Sequence, residues 1–259
     1  MSWVLSERRG AVAVLTLNNP AQYNAMRRGL LGDLGNALNA AFADEAVRAI
    51  LLTGAGKGFC AGAELGNGDT FSAGANVAPW MRAELSPVIE SMRNAEKPIV
   101  VAVNGAAAGA GVGLALAGDI VLAARSAKFV LSFARLGAAL DAGTSLFLQR
   151  SIGVARARAL ALLGRPLTAE QAEQSGLIFQ TVDDARLMDE AMAIAEQLAA
   201  GPPIGLGLIK RQIEAAWDAP LAATLDSEAE CQGRAFVTED LREGAAAFVE
   251  KRPPQFKGR

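Results

Sequence analysis

The chain contains no histidine. That removes the commonest general base of enzymes, and with it the Ser-His-Asp and Cys-His nucleophilic schemes and histidine-ligated zinc sites. Its two cysteines, Cys60 and Cys231, are far apart and lack metal-ligand spacing, so neither a disulfide framework nor a metal site is indicated. Tyr23 is the single tyrosine. Any proton transfer therefore falls to Asp, Glu, Lys, Cys or that one phenol. Strong charge of one sign is also missing: a formal net charge of −2 offers no basic face for nucleic acid or for an anionic membrane surface, because both need clustered Lys and Arg. A small anion held by a few local cations remains compatible. No secretory leader is read at the N-terminus, and a cytoplasmic protein is expected.

What is present is a globular composition. Of 259 residues, 51% are apolar and 20% charged, which fits neither a coiled coil nor a disordered chain. Short β-branched runs bounded by turn residues are expected to be strands: AVAVLTL (11–17), AILLTG (49–54), IVVAVNG (99–105), DIVLAA (119–124) and KFVLS (128–132). Helix-like stretches at about 24–43, 80–94, 109–117 and 143–151 alternate with them and suggest βα units on a sheet. After about residue 155 the strand signal fades, leaving only LIFQTV (177–182). TAEQ (168–171) has the pattern of a capping box, and three helical segments follow near 184–200, 203–217 and 221–249. These alanine-rich helices must pack on the chain's own core or on a neighbouring subunit.

The segment NGAAAGAGVGLALAGD (104–119) carries five glycines and no side chain able to move a proton before Asp119. A glycine-rich turn that leaves a strand and opens a helix presents backbone N–H groups to a phosphate or to an oxygen that becomes negative. The phosphate reading is disfavoured, because GAGVG (109–113) is not G-x-G-x-x-G and no acidic residue follows at the required distance. An oxyanion hole needs small residues so that a carbonyl can approach the backbone. A second glycine-rich turn, GAGKGFCAGAEL (54–65), can supply a second donor.

Four motifs in order, together with the tail, carry a resemblance. NNPAQYNAM (18–26), GKGFCAGAEL (56–65), VNGAAAGAGVGLALAGDIVLA (103–123), LGAALDAGTSLFLQR (136–150) and FVEKRPPQFKGR (248–259) are similar to the crotonase, or enoyl-CoA hydratase/isomerase, superfamily. The resemblance implies an α/β fold: a spiral of repeated ββα units followed by a C-terminal α-helical trimerisation region. We expect residues 1–195 to form the spiral core with the acyl-CoA site and 196–259 the helical oligomerisation region, in a homotrimer or a pair of trimers. It further implies an acyl-CoA thioester substrate, with no cofactor besides the CoA moiety and no metal. By motif position the oxyanion donors are the N–H groups of Ala61 and Ala110, the latter where glycine is common in the family.

Hydratases of the family add water with two glutamates. Their positions correspond here to Gly113 and Phe133, so both carboxylates are absent. LGAALDAGTS instead resembles the isomerase branches, in which an aspartate moves a proton between carbons of the acyl group. That role falls on Asp141, which its sequence position alone equally allows to be a helix N-cap. Glu64 stands where the family has aspartate and is expected to organise the loop or the CoA entrance. Glu84 and Glu90 are expected on solvated faces, Cys60 as a small buried residue, and Asp119 as structural. Loop 66–80 contributes to the acyl pocket wall. For CoA, the resemblance points to Gln22, Tyr23, the loop Gly62, Ala63, Glu64 and Leu65, and, from the adjoining subunit, Phe248 and Lys251. Tyr23 is equally a packing aromatic, and the tail is alternatively a disordered basic segment. The leading expectation is an enoyl-CoA isomerase, the alternatives being a hydratase with a rearranged acid and a catalytically weak acyl-CoA-binding protein.

Overall fold

A computed structural model describes residues 2–64 and 76–259. Two sheets organise the first two thirds of the chain. The larger has the order β1 (Val4–Arg9), β2 (Val12–Leu17), β3 (Ala49–Gly54), β5 (Ile99–Val103), β7 (Ile120–Ala124) and β10 (Gln180–Val182). β1 pairs antiparallel with β2 and every other neighbour is parallel. Strands β3 and β5 are buried along their whole length, which is why they read as unbroken apolar runs: a parallel strand is covered on both faces.

The smaller sheet has the order β4 (Gly58–Cys60), β6 (Ala106–Ala108), β8 (Lys128–Val130) and β9 (Leu167–Thr168). Each of its first three strands directly follows a strand of the larger sheet, giving the pairs β3–β4, β5–β6 and β7–β8, and helical segments connect the pairs. α1 (Arg28–Ala43) lies between β2 and β3. α2 (Ala78–Trp80), a π-helical turn (Met81–Leu85) and α3 (Ser86–Asn94) run continuously before β5. α4 (Ala110–Leu116) follows β6, and α5 (Phe133–Leu136) and α6 (Thr144–Leu163) follow β8. This is the expected succession of ββα units.

α7 (Ala169–Ser175) opens on the expected capping box: Thr168 Oγ1 accepts the Gln171 N–H and the Gln171 side chain accepts the Thr168 N–H. α8 (Leu187–Ala199) packs on β3, β5 and β7, and its Ala191, Ala195 and Ala199 are buried. The main apolar core runs to Ala199, slightly beyond the expected boundary at 195. Beyond it stand α9 (Pro203–Ala216), α10 (Leu221–Phe236) and α11 (Glu239–Glu250). The segment expected as one helix over 221–249 is two, because Thr238 turns its hydroxyl to the Leu241 N–H and starts α11 afresh. Exposed Ile209, Ile213, Trp217, Leu221 and Leu225 give α9 and α10 an outer apolar face. The tail is ordered, with the Lys257 and Gly258 N–H groups donating to the buried Asp240 carboxylate at 2.6 and 2.8 Å. The disordered-tail alternative therefore does not hold.

Candidate active site

The bare turns meet at the C-terminal ends of β3 and β5. Helix α1 begins at Arg28 rather than near 24, because residues 19–26 are tied to the 54–63 turn. Pro20 opens a short 3₁₀ turn, and Tyr23 and Asn24 then take left-handed φ values of 50° and 57°. The fully buried Asn24 side chain accepts the Asn19 N–H at 2.8 Å and donates to the carbonyls of Ala55 at 3.0 Å and Gly58 at 2.8 Å. No motif reading singled out Asn24. It holds Met26 where it can pair in parallel with Ala63.

That pairing decides which amide of the turn is free. The Ala61 N–H donates to the Tyr23 carbonyl at 2.9 Å, and Met26 takes both the Gly62 carbonyl and the Glu64 N–H. In a parallel bridge the intervening residue turns its N–H away from the partner, and the Ala63 N–H has no acceptor among the described residues. Ala61 is therefore not the available donor; the free amide lies two residues further on. Gly62, at φ 82°, makes the bend between them, and a Cβ there would lie 2.6 Å from the Ala108 carbonyl oxygen and 3.2 Å from the Ala110 nitrogen. The two turns thus touch backbone to backbone. Ala110 is the first residue of α4, so its N–H has no intrahelical acceptor, and none is found elsewhere among the described residues.

Ala61, Ala63 and Ala110 line an apolar cavity of about 400 Å³. Met26, Trp80, Met81, Leu85, Phe133 and Leu140 form much of its wall, and Asp141 is its single carboxylate among the described lining residues. The π-helical turn has a local cause: Pro87 has no N–H for the α pattern, while the Ser86 N–H reaches the Met81 carbonyl five residues back. Phe133, where a hydratase carboxylate was expected by position, places an apolar ring in the wall.

Asp141 is not an N-cap. Gly143 occupies that position and no side chain caps α6. One Asp141 carboxylate oxygen, Oδ1, is buried without a hydrogen-bond partner. Burial pushes its pKa up to about 6, with no cation or donor opposing the shift. Cys60 is fully buried and its thiol is pushed up to about 12, first by burial and also by the nearby Asp141 charge, so it is inert.

The other candidates separate from this group. Glu64 lies 3.7 Å from Arg27, whose guanidinium stacks on Trp3, and it does not line the cavity. Gln22 and Tyr23 are exposed and neither lines the cavity; the Tyr23 ring lies against Gly58. Leu65 and residues 66–75 of the wall loop lie outside the described residues. Glu84 is half-buried and Glu90 exposed on the 78–94 run. Phe248, 85% exposed, and Lys251, with φ 55° at the end of α11, stand away from the cavity of their own chain. Asp119 is structural, as expected: its carboxylate accepts the Ile99 N–H at 2.7 Å and the Lys210 ammonium at 2.9 Å. No group of three or more Cys, Asp or Glu among the described residues is placed to hold a metal. Nor is any single helix among them long and apolar enough to cross a membrane.

A model of the enoyl-CoA hydratase/isomerase family matches residues 7–259. The chain is 44% identical to a 1,2-epoxyphenylacetyl-CoA isomerase of Escherichia coli K12, over the full length of both. It is 35% identical to a 2,3-dehydroadipyl-CoA hydratase of the same organism, again over the full length of both. Among solved structures, an enoyl-CoA hydratase from Bacillus anthracis superposes with a TM-score of 0.92 at 34% identity, covering 99% of this chain and 100% of that one.

Proposed function

The chain belongs to the enoyl-CoA hydratase/isomerase family, and from that premise we propose that it is an isomerase of acyl-CoA thioesters that moves a double bond by proton transfer through Asp141. The observation that carries this reading is the one carboxylate among the described lining residues, half-buried with its Oδ1 buried and unpartnered, in an apolar cavity that also receives two free backbone amides. The N–H groups of Ala63 and Ala110 donate to the thioester carbonyl oxygen and favour the enolate over the neutral carbonyl; one such donor accounts for about 10²–10³ in rate. Asp141, ionised, takes a proton from the carbon next to the double bond. The resulting dienolate is held at the thioester oxygen, and Asp141 returns the proton two carbons along. No atom is gained or lost, and no cofactor beyond the CoA moiety takes part. A carboxylate with a pKa near 6 suits both halves of the transfer, because it is ionised at neutral pH and still basic.

Gln22 and Tyr23, with Phe248 and Lys251 from a neighbouring copy, hold CoA in a cytoplasmic homotrimer or pair of trimers. The exposed apolar side chains of α9 and α10 and the exposure of Phe248 and Val249 support this assembly. Hydration is the second reading, favoured by the likeness to the dehydroadipyl-CoA hydratase. It needs a second acid, and Glu64, the nearest in sequence to a donor, is turned to Arg27. The test is product analysis by mass spectrometry for a 3-enoyl-CoA and a 2-enoyl-CoA, with wild-type protein and Asp141→Asn. Double-bond migration lost in the variant while acyl-CoA still binds supports isomerisation. Water addition that survives the substitution contradicts it.

A further inference from the structure

The turn 54–58 is held by two asparagine side chains that come from different segments of the chain. Asn24, fully buried, reaches it from the 19–26 segment and donates to the Ala55 carbonyl at 3.0 Å and the Gly58 carbonyl at 2.8 Å. Asn104, half-buried directly after β5, reaches it from the segment that leads into β6 and α4. Its amide oxygen accepts the Gly54 N–H at 3.1 Å, and its nitrogen donates to the Gly56 carbonyl at 3.0 Å and, more weakly, to the Gly58 carbonyl at 3.3 Å. The Gly58 carbonyl oxygen, with its two lone pairs, is thus shared by both side chains.

A carboxamide is needed in both places. Each side chain accepts one N–H and donates to two carbonyls; a carboxylate cannot donate, and an apolar residue leaves the carbonyls unpaired. Space at the junction is filled: a Cβ at Gly54 would fall 2.6 Å from the Gly58 and Phe59 carbonyl oxygens and 2.8 Å from the Asn24 amide nitrogen. Gly58 opens β4, which runs on toward the Ala63 amide, and it pairs with Ala106 of β6, which runs on toward the Ala110 amide. The ladder between these strands is short and shifts register between Gly58 and Cys60, so strand pairing alone is a weak constraint on the spacing of the two amides.

We propose that Asn24 and Asn104 clamp the Gly58 carbonyl between them and so set the distance between the Ala63 and Ala110 amides. Both are positioning residues, and neither side chain lines the cavity. Asn24 fixes the segment whose bridge frees the Ala63 N–H, and Asn104 ties the same turn to the segment that opens α4. The importance of the clamp for turnover rests on these two amides receiving the thioester oxygen, whichever group carries the proton.

The experiment uses the full chain as wild type, Asn104→Ala and Asn24→Ala. It reads kcat and KM against pH for isomerisation of 3-hexenoyl-CoA, and the infrared carbonyl stretch of bound hexanoyl-CoA labelled with carbon-13 at the thioester carbon. Hexanoyl-CoA has no double bond to move, so its stretch reports the hydrogen bonds to the oxygen alone. In wild type the stretch should lie below its value in water, because donors aimed at the oxygen polarise the C=O bond. Each variant is expected to lower kcat at least about tenfold with KM within about threefold, since one donor lost outright is worth about 10²–10³. The stretch should return toward its aqueous value while the midpoint of kcat against pH stays in place, because Asp141 is untouched. A folded variant that keeps the kcat and the stretch of wild type overturns the proposal, as does a loss of kcat with an unchanged stretch or a displaced pH midpoint. A wild-type stretch no lower than in water removes the oxyanion reading and the clamp with it. If wild type lowers the stretch but does not isomerise, the isomerase reading falls, and the stretch in the two variants still decides the clamp. Should Asn24→Ala not fold, Asn104→Ala decides alone, its half-buried position letting water replace the lost amide.

Discussion

Two aspartates near α4, neither of them wholly buried, are treated oppositely by the fold. At the C-terminal end, Asp119 is surrounded by partners: it binds the Ile99 N–H and Lys210, with Arg93 beside it and Glu214 bridging Arg93 and Arg150. Toward the N-terminal end, Asp141 faces alanine, leucine and aromatic walls with one oxygen unpaired. Burial raises both carboxyls, yet at Asp119 the neighbouring cations pull the other way and at Asp141 nothing does. A partnered carboxylate fixes structure, whereas a solitary one is costly to the fold and remains free to exchange a proton.

Substitutions at the two ends should therefore have opposite consequences. Asp141→Asn is expected to lower kcat for isomerisation by about 10²–10⁴ while acyl-CoA affinity, followed by calorimetry, changes little. Lys210→Met leaves the partly covered Asp119 carboxylate without its cation. We expect a loss of roughly 2–4 kcal/mol in urea unfolding with kcat held within about twofold.

Stability against pH separates the two ends further. Because burial raises Asp141 to about 6, the native state keeps a proton between about pH 4 and about pH 6 that the unfolded chain has released. Its contribution is thus most favourable below that window, declines as pH rises through it, and stays lower above it, by at most roughly 3 kcal/mol. Asp141→Asn should accordingly be more stable than wild type at neutral pH and no more stable near pH 4, as chemical denaturation at the two pH values would reveal. The smallest effect belongs to Glu64, a carboxylate partnered outside the cavity. For Glu64→Gln a rise in KM of no more than about threefold with kcat retained is expected, because its pair with Arg27 is only partly buried.

The sequence made some of this legible for identifiable reasons. β3, β5 and β7 were readable because parallel buried strands are continuous apolar runs. β1 was missed because VLSERR is polar and exposed beyond Val4, and β4 and β6 because GFC and AAA are strands only by virtue of their pairing. Asp141 stood out in its motif, but the choice between cap and cavity needed coordinates, since only the backbone shows Gly143 taking the cap position. The amide left free lies two residues beyond the expected donor for a similar reason. Ala61, Gly62 and Ala63 are alike in size, and the bridge from Met26, set by the buried Asn24, is what engages one amide and frees another.

Proton transfer by Asp141, made more basic by its apolar surroundings, leaves a signature in the rate against pH. It is tested most directly by the pH dependence of kcat/KM for isomerisation of a 3-enoyl-CoA between about pH 4 and about pH 8. A single ionisation near 6 is expected, with activity rising as Asp141 loses its proton and a plateau above. A profile flat through this range, or one governed by an ionisation that persists with full activity in Asp141→Asn, would contradict it.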